Sequence, residues 1–272
     1  MIYCCMKDMA FLPPDTIYKG RKNMHTKISL ENDLKNMGLR PQDTVLMHSS
    51  MKAIGSVEGG ADTVLDALCD YFAPGLVMLP ALTWTVANMD DPVFDVRGTA
   101  AVVGLLPNLF MKRSGVVRSW HPTHSLAAFG ADAAEVLRED HLNHTPCGPT
   151  SGWHKLMERD GVILMVGCGL TSCTFIHGVE EWNDVPNRLA PPKRFTVITP
   201  DGGRVEVTSS PHQGSPSEQY GRAEEALRRT GALRDGVLGS AHVLVLSARK
   251  TFETVSALLR ENPHLFDESR KA

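Results

Sequence analysis

The chain has 272 residues, of which 42% are hydrophobic and 22% charged, with a formal net charge of −3 and a pI near 6.4. This is an ordinary globular composition, long enough to bury a sizeable core. No basic excess or Lys/Arg stripe suggests a nucleic-acid partner, and no apolar run approaches the roughly 20 residues of a membrane helix.

The opening stretch, MIYCCMKDMAFLPP, is apolar in places but broken by Lys7 and Asp8. It lacks the continuous apolar core of about 7–15 residues that a secretory signal needs. Cys4 and Cys5 are adjacent, and Cys69, Cys147, Cys168 and Cys173 are dispersed without a CxxC pair. These read as reduced thiols of a cytoplasmic protein rather than a disulfide frame. Residues 1–23 carry no periodic pattern and are taken as an N-terminal extension, with Met24 a candidate natural start. Residues 24–272 are taken as a single domain.

After Met24, ISLENDLKNMG has helical spacing and Gly38 as its stop. TVLMHSS (44–50) reads as a buried strand with a polar tip. A Gly-containing loop leads to a helix at 61–72, with Asp62 as expected N-cap, and a strand follows at 75–82. This order is a βαβ unit. A helix bent or started near Pro107 is expected within 101–115. Two short strands are expected within 116–130, and helices at 132–141 and 151–161. GVILMVGCG (161–169) is the best strand in the chain. A hairpin at 194–209 turns at Asp201-Gly202-Gly203. Helices at 217–231 and 248–262 flank a strand at 242–248. The whole predicts an α/β fold in three layers, a mixed central sheet with helices on both faces.

Four stretches can carry chemistry. In MHSSMKAIGSVEGGA (47–61), Ser49, Ser50 and the glycines at 55, 59 and 60 follow a strand and offer hydroxyls and backbone amides. The same text also suits a flexible turn with a helix cap. In RSWHPTHS (118–125), two histidines, two serines and an arginine crowd around Pro122. A metal is not expected there. Pro122 disfavours the helix that would align His121 and His124, and neither an HExxH nor a zinc-spaced Cys/His set occurs.

The third stretch is TSCTFIHGVEE (171–181), just after the best strand. If it is helical, Thr174, His177 and Glu180 share one face. A carboxylate beside a histidine fixes its tautomer and makes a competent general base. A packed histidine with surface acids is the competing reading. Cys168 and Cys173 stand near His177, but buried cysteines are mostly inert. His212, in the Ser/Pro/Gly-rich SSPHQGSPSEQYGR (209–222), sits on a loop of the kind that selects substrates.

Taken in order, several blocks resemble the aminoglycoside 3-N-acetyltransferase (antibiotic N-acetyltransferase) family. They are MHSSMKAIGSVEGGADTVLDAL, MLPALTW, DPVFDVRGTAAVVGLLP, VVRSWHPTHSLAAFG, TPCGPTSGWHKL and TFIHGVEE. Gln219-Tyr220 and GVLGSAHVLVLSA also fit, so the resemblance spans about residues 26–266. The HPTHS text is similar to a broad subgroup that includes members not tied to drug resistance.

The resemblance implies transfer of an acetyl group from acetyl-CoA to an amine of an aminoglycoside or a related metabolite. His48, Ser49, Ser50, Met51, Arg118, Ser119, His121, His124 and Ser125 are then expected near CoA. Thr174, His177 and Glu180 are the expected catalytic group, with Glu180 orienting His177. Asp90, Glu181 and His212 are candidates for the acceptor side, and Asp91, Asp95 and Asp184 could add to an acidic cleft. A catalytically silent CoA-binding protein, or a hydrolase using Cys173 or a serine, remains the alternative. A two-fold dimer is the general expectation for a soluble enzyme.

Overall fold

The computed structural model describes residues 24–267; the expected N-terminal extension at 1–23 lies outside the described residues. A seven-stranded sheet runs through the middle, in the order β4 (Val117–Arg118), β5 (Leu126–Gly130), β2 (Leu76–Pro80), β1 (Thr44–Ser49), β6 (Val162–Val166), β10 (Ala241–Ser247) and β9 (Leu233–Leu238). β1 pairs in parallel with β2 and β6, and the remaining neighbours are antiparallel. The sheet is therefore mixed, as expected.

Side-chain alternation builds the two outer layers. On β1, Val45 and Met47 join the core beneath α1 (Lys27–Asn36), α3 (Ala61–Tyr71) and α4 (Leu105–Phe110). Leu46 faces the opposite core, shared with α5 (Ala133–Leu137), α6 (Gly152–Glu158), α7 (Thr174–Trp182), α8 (Glu224–Arg229) and α9 (Ala248–Glu261). His48 has the parity of Leu46, and its ring lies 6.4 Å from that of Trp153 on α6.

A second sheet was not foreseen. β3 (Val93–Asp95) pairs in parallel with β7 (Lys193–Ile198), which forms the expected hairpin with β8 (Arg204–Ser209). Phe94, Phe195, Val197 and Val207 close its own small core. β9 was also unassigned in the sequence; its partner β10 was legible. Two local expectations need correction. Gly60, not Asp62, is the N-cap of α3, and Asp62 lies in the first turn. The helix near Pro107 covers only Leu105–Phe110, with Pro107 in its first turn, where a missing N–H costs nothing.

The parallel strands β1, β2 and β6 all end on one side. In open α/β sheets, ligands collect at such carboxyl ends. Gly167, just past β6, has φ +65°, and a Cβ there would stand 2.2 Å from that of Ala53. Glycine thus lets the short helix α2 (Met51–Ile54) sit against the end of β6. No helix among the described residues is long and apolar enough to cross a membrane.

Candidate active site

α7 begins immediately after the turn that leaves β6, so Thr174, His177 and Glu180 do lie on one helical face. His177 is the most open of the group, its side chain 17% exposed, whereas Glu180 is fully buried. The two are not directly bonded: His177 Nδ1 lies 3.6 Å from Glu180 Oε2. Tyr220 stands between them. Its hydroxyl lies 2.7 Å from His177 Nδ1 and donates to Glu180 Oε2 at 2.5 Å. A hydroxyl has one proton. Since that proton goes to Glu180, the Tyr220 oxygen accepts from His177 Nδ1–H, and His177 Nε2 is left with its lone pair.

Glu180 is held from its other side by Arg188, whose Nε donates to Oε1. The same guanidinium reaches Asp267 Oδ1 at 2.7 Å. Burial, with the adjacent Glu180 charge, pushes the Tyr220 phenol well above its usual range, so it remains a proton donor.

A second network touches the His177 ring face. His212 stacks on His177 with centroids 4.5 Å apart and planes 22° from parallel. His212 Nδ1 lies 3.1 Å from His124 Nε2, His212 Nε2 bonds Glu181 Oε1, and His124 Nδ1 lies 3.0 Å from Thr123 Oγ1. Both oxygens of Glu181 also accept from the Cys147 N–H at 3.2 Å. Burial raises the Glu181 carboxyl to about 7. It pushes His124 and His212 well below the ordinary histidine range, with neighbouring imidazoles adding to the effect. Cys147, Glu181 and His212 are the one set among the described residues whose donor atoms converge as a metal would require. Their hydrogen bonds already satisfy one another.

Two cavities meet at His177. The first, of about 330 Å³, is lined by His48, Ser49, Pro80, Cys168 and residues 171–174. The second, of about 510 Å³, is lined by Ala190, Lys193, His212, Ser215 and Glu218 among others. Trp84, His124, His177 and Ser217 belong to both walls. In the first cavity, His48 Nε2 and Ser49 Oγ are buried without a hydrogen-bond partner. Burial depresses His48 to about 3, so its imidazole is neutral. Unpaired buried polar atoms are costly. Both stand on the wall of the first cavity, free to bond a molecule that enters it.

The remaining expected cofactor residues separate into supports. Ser50 caps α2 by accepting from the Ala53 N–H, and Met51 packs against the core. Arg118 does not line the cavity at His177. Its guanidinium donates to the carbonyls of Val96, Thr99 and Ala81 and to Ser125 Oγ, over the Phe94 ring at 4.8 Å. Ser125 in turn donates to Ala81 O at 2.7 Å, and Ser119 accepts from the Leu126 N–H at 3.0 Å. His121 is fully buried, with Nε2 3.2 Å from Ser209 Oγ. These residues fix the loop that presents His124.

The expected acidic cleft is not assembled. Glu180 and Glu181 are consumed by the bonds above. Asp95 accepts from the N–H groups of Arg97 and Gly98. Asp90 and Asp91 are exposed on the loop after Trp84, and Glu218 is the carboxylate that lines the second cavity. Arg188 went unassigned in the sequence, and Tyr220 entered only within the Gln219-Tyr220 pair of the family resemblance, without a role; they stand 8 and 40 residues from Glu180.

The aminoglycoside 3-N-acetyltransferase family model matches residues 46–260. The chain belongs to that family. It is 30% identical to aminoglycoside N(3)-acetyltransferase VII of Streptomyces paromomycinus, over 87% of this chain and 92% of the relative. It is 28% identical to aminoglycoside N(3)-acetyltransferase III of Enterobacter cloacae, over 83% and 88%. Among solved structures, the apoenzyme of aminoglycoside acetyltransferase AAC(3)-IVa superposes with a TM-score of 0.78 at 25% identity, covering 93% of this chain and 95% of that one. AAC-IIIb in its binary complex with CoASH superposes with a TM-score of 0.77 at 25% identity, covering 88% and 97%. The three-layer α/β architecture is therefore that of the aminoglycoside 3-N-acetyltransferases, and the protein is an acyltransferase.

Proposed function

We propose that this acetyltransferase, acting in the cytoplasm, moves an acetyl group from acetyl-CoA to an amine of an aminoglycoside or a related amine metabolite, with His177 as general base and no covalent enzyme intermediate. The observation that carries this reading is the position of His177. One imidazole stands in the wall of two cavities, with its proton directed away from both by Tyr220 and Glu180.

The first cavity receives the thioester arm, where His48 Nε2 and Ser49 Oγ find partners in its amide groups. The acceptor amine enters from the second cavity. An ammonium has no lone pair, so the acceptor gives up one proton to solvent before it attacks; as its nitrogen bonds to carbon it becomes acidic, and His177 Nε2 takes the second proton. The amine nitrogen bonds to the thioester carbon, and the carbonyl becomes an oxyanion. Thr174, on the wall of the first cavity, donates its hydroxyl to that oxygen in this scheme. One such donor is worth about 2.7–4 kcal/mol. The intermediate collapses, the C–S bond breaks, and the proton on His177 is available to the departing sulfur. Glu180, held by Arg188, stabilises the transient imidazolium through Tyr220.

A cysteine hydrolase fits less well. Burial raises the Cys168 and Cys173 thiols to about 11 and 12, so neither is a ready thiolate.

The test is calorimetric titration with acetyl-CoA, followed by thiol release with a panel of aminoglycosides and simple amines. Saturable binding is expected near micromolar affinity, about −8 kcal/mol, with amine-dependent release. His177→Ala should bind acetyl-CoA normally and turn over about 10²–10⁴-fold more slowly. Failure to bind acetyl-CoA, or near-normal turnover in that variant, overturns the reading.

A further inference from the structure

The mechanism above uses one side of His177: its Nδ1, tied through Tyr220 to Glu180. The ring face is covered by a second group that the mechanism leaves idle. We propose that His212 is a positioning residue for His177, a neutral imidazole stacked on the catalytic ring and held in place by Glu181 and His124. This rests on His177 being the general base.

The hydrogen bonds fix the protonation pattern of the chain. An ionised Glu181 only accepts, so His212 Nε2–H donates to it. His212 Nδ1 then has only a lone pair to offer, and accepts from His124 Nε2–H at 3.1 Å. His124 Nδ1 is left as an acceptor, which the Thr123 hydroxyl satisfies at 3.0 Å. Each ring is neutral and each bond has one direction. The groups facing His212 are Glu181, His124, His177 and, further off, His121. Those facing His177 are Tyr220, Glu180 and His212, with Glu181 and His124 further off.

Stacking matters in two ways. A ring with one hydrogen-bonded atom can still swing about that bond; a flat neighbour 4.5 Å away removes the freedom. When His177 becomes imidazolium, the facing ring meets it as an aromatic surface rather than as a second charge. A cation over an aromatic face is attracted, whereas two imidazolium rings repel. Burial and the adjacent His177 both oppose protonation of His212, which fits this role.

The experiment compares His212→Ala, His212→Phe and Glu181→Gln in the full chain. His212→Ala should lower kcat about 10–100-fold, the scale of a misplaced catalytic group, with acetyl-CoA affinity and both KM values within about twofold. His212→Phe keeps the flat face without its hydrogen bonds and should recover a large part of the loss. Glu181→Gln should fall between wild type and His212→Ala. A kcat unchanged in His212→Ala, no recovery in His212→Phe, or a raised acceptor KM at constant kcat would overturn the proposal, the last by making His212 a substrate contact. Calorimetry with acetyl-CoA reports whether each variant is folded.

A second readout is independent of turnover. In ¹⁵N spectra of the imidazoles at about pH 8, where Glu181 is ionised, His212 should be neutral and Nε2-protonated, and on acidification it should take up a proton only well below the ordinary histidine range. A His212 that is charged within the ordinary histidine range overturns the stacking role even if no acceptor is found. Loss of acetyl-CoA binding in the unmodified protein would instead sink the acetyltransferase reading.

Discussion

Tyr220 reaches His177 across 43 residues of sequence, its hydroxyl 2.7 Å from the ring Nδ1. The same hydroxyl spends its only proton on Glu180. The acid therefore sets the histidine tautomer through a phenol rather than by touching the ring. Tyr220→Phe keeps the packed ring and deletes the bridge. Turnover should fall about 10–100-fold, less than on loss of His177 itself. The Glu180 oxygen loses a partner in a buried site, so urea unfolding should report a stability loss of about 1–3 kcal/mol.

Arg188 is the remaining partner of that buried carboxylate. Arg188→Ala leaves the charge of Glu180 uncompensated, and breaking a buried pair from one side costs about 3–5 kcal/mol. Denaturant melts should show this as a shifted midpoint. A midpoint like that of wild type would mean that Glu180 relaxes into water or takes up a proton.

Ser49 gives two opposed readouts. Its buried hydroxyl has no partner in the unliganded protein. Ser49→Ala should leave the melting temperature unchanged or slightly raised. If the thioester arm completes that bond, acetyl-CoA affinity should weaken about 3–10-fold, the worth of one hydrogen bond. Equal affinity by calorimetry would place the arm elsewhere.

Stability should fall as pH drops below about 6.5. His48 and His121 are depressed to about 3 by burial, and His124 and His212 are also held low. Between the folded and unfolded pKa values, the unfolded chain binds these protons and the folded chain does not, so acid favours unfolding. Glu181 and Asp140 act in the opposite sense. Burial raises both to about 7, so below that pH the folded state holds their protons and gains stability as pH falls. His141 is also lowered by burial, so five histidines outnumber two acids, and unfolding near pH 5 should take up protons on balance. A series of urea melts from pH 5 to 8 measures this slope.

Cys173→Ala separates the acetyltransferase from a thiol hydrolase. Its thiol is buried and raised to about 12. The variant should keep acetyl transfer within a few-fold, apart from the packing cost of about 1 kcal/mol for a small cavity. Abolished turnover with retained acetyl-CoA binding would restore a covalent scheme.

Much of the fold was legible because it is locally written. The apolar runs of β1, β2 and β6 and the amphipathic spacing of α3, α7 and α9 need no distant partner to be recognised. The Thr174, His177 and Glu180 face followed from spacing on the condition that 174–183 is helical, which the structure meets over Thr174–Trp182. What failed to show was long-range. β3 joins β7 across about 100 residues and only three positions, too few for a pattern. The bond from His124 to His212 spans 88 residues. Arg118 was expected near CoA from the family resemblance. Its four donor bonds inside the loop cluster could be seen only in three dimensions. Burial likewise redirected Glu181 from an open acidic cleft to the support of a histidine.

A base shared between two cavities has a consequence when only one is filled. With the donor seated and the acceptor side empty, the nearest nucleophile to His177 Nε2 is solvent. The cavity of about 510 Å³ is roomy enough to hold several molecules of it. On the proposed mechanism the enzyme should therefore show a slow leak, release of thiol from acetyl-CoA to water without an acceptor, which acceptor binding shuts off by displacement. Productive turnover is then as much a matter of keeping that space occupied as of the chemistry on the histidine.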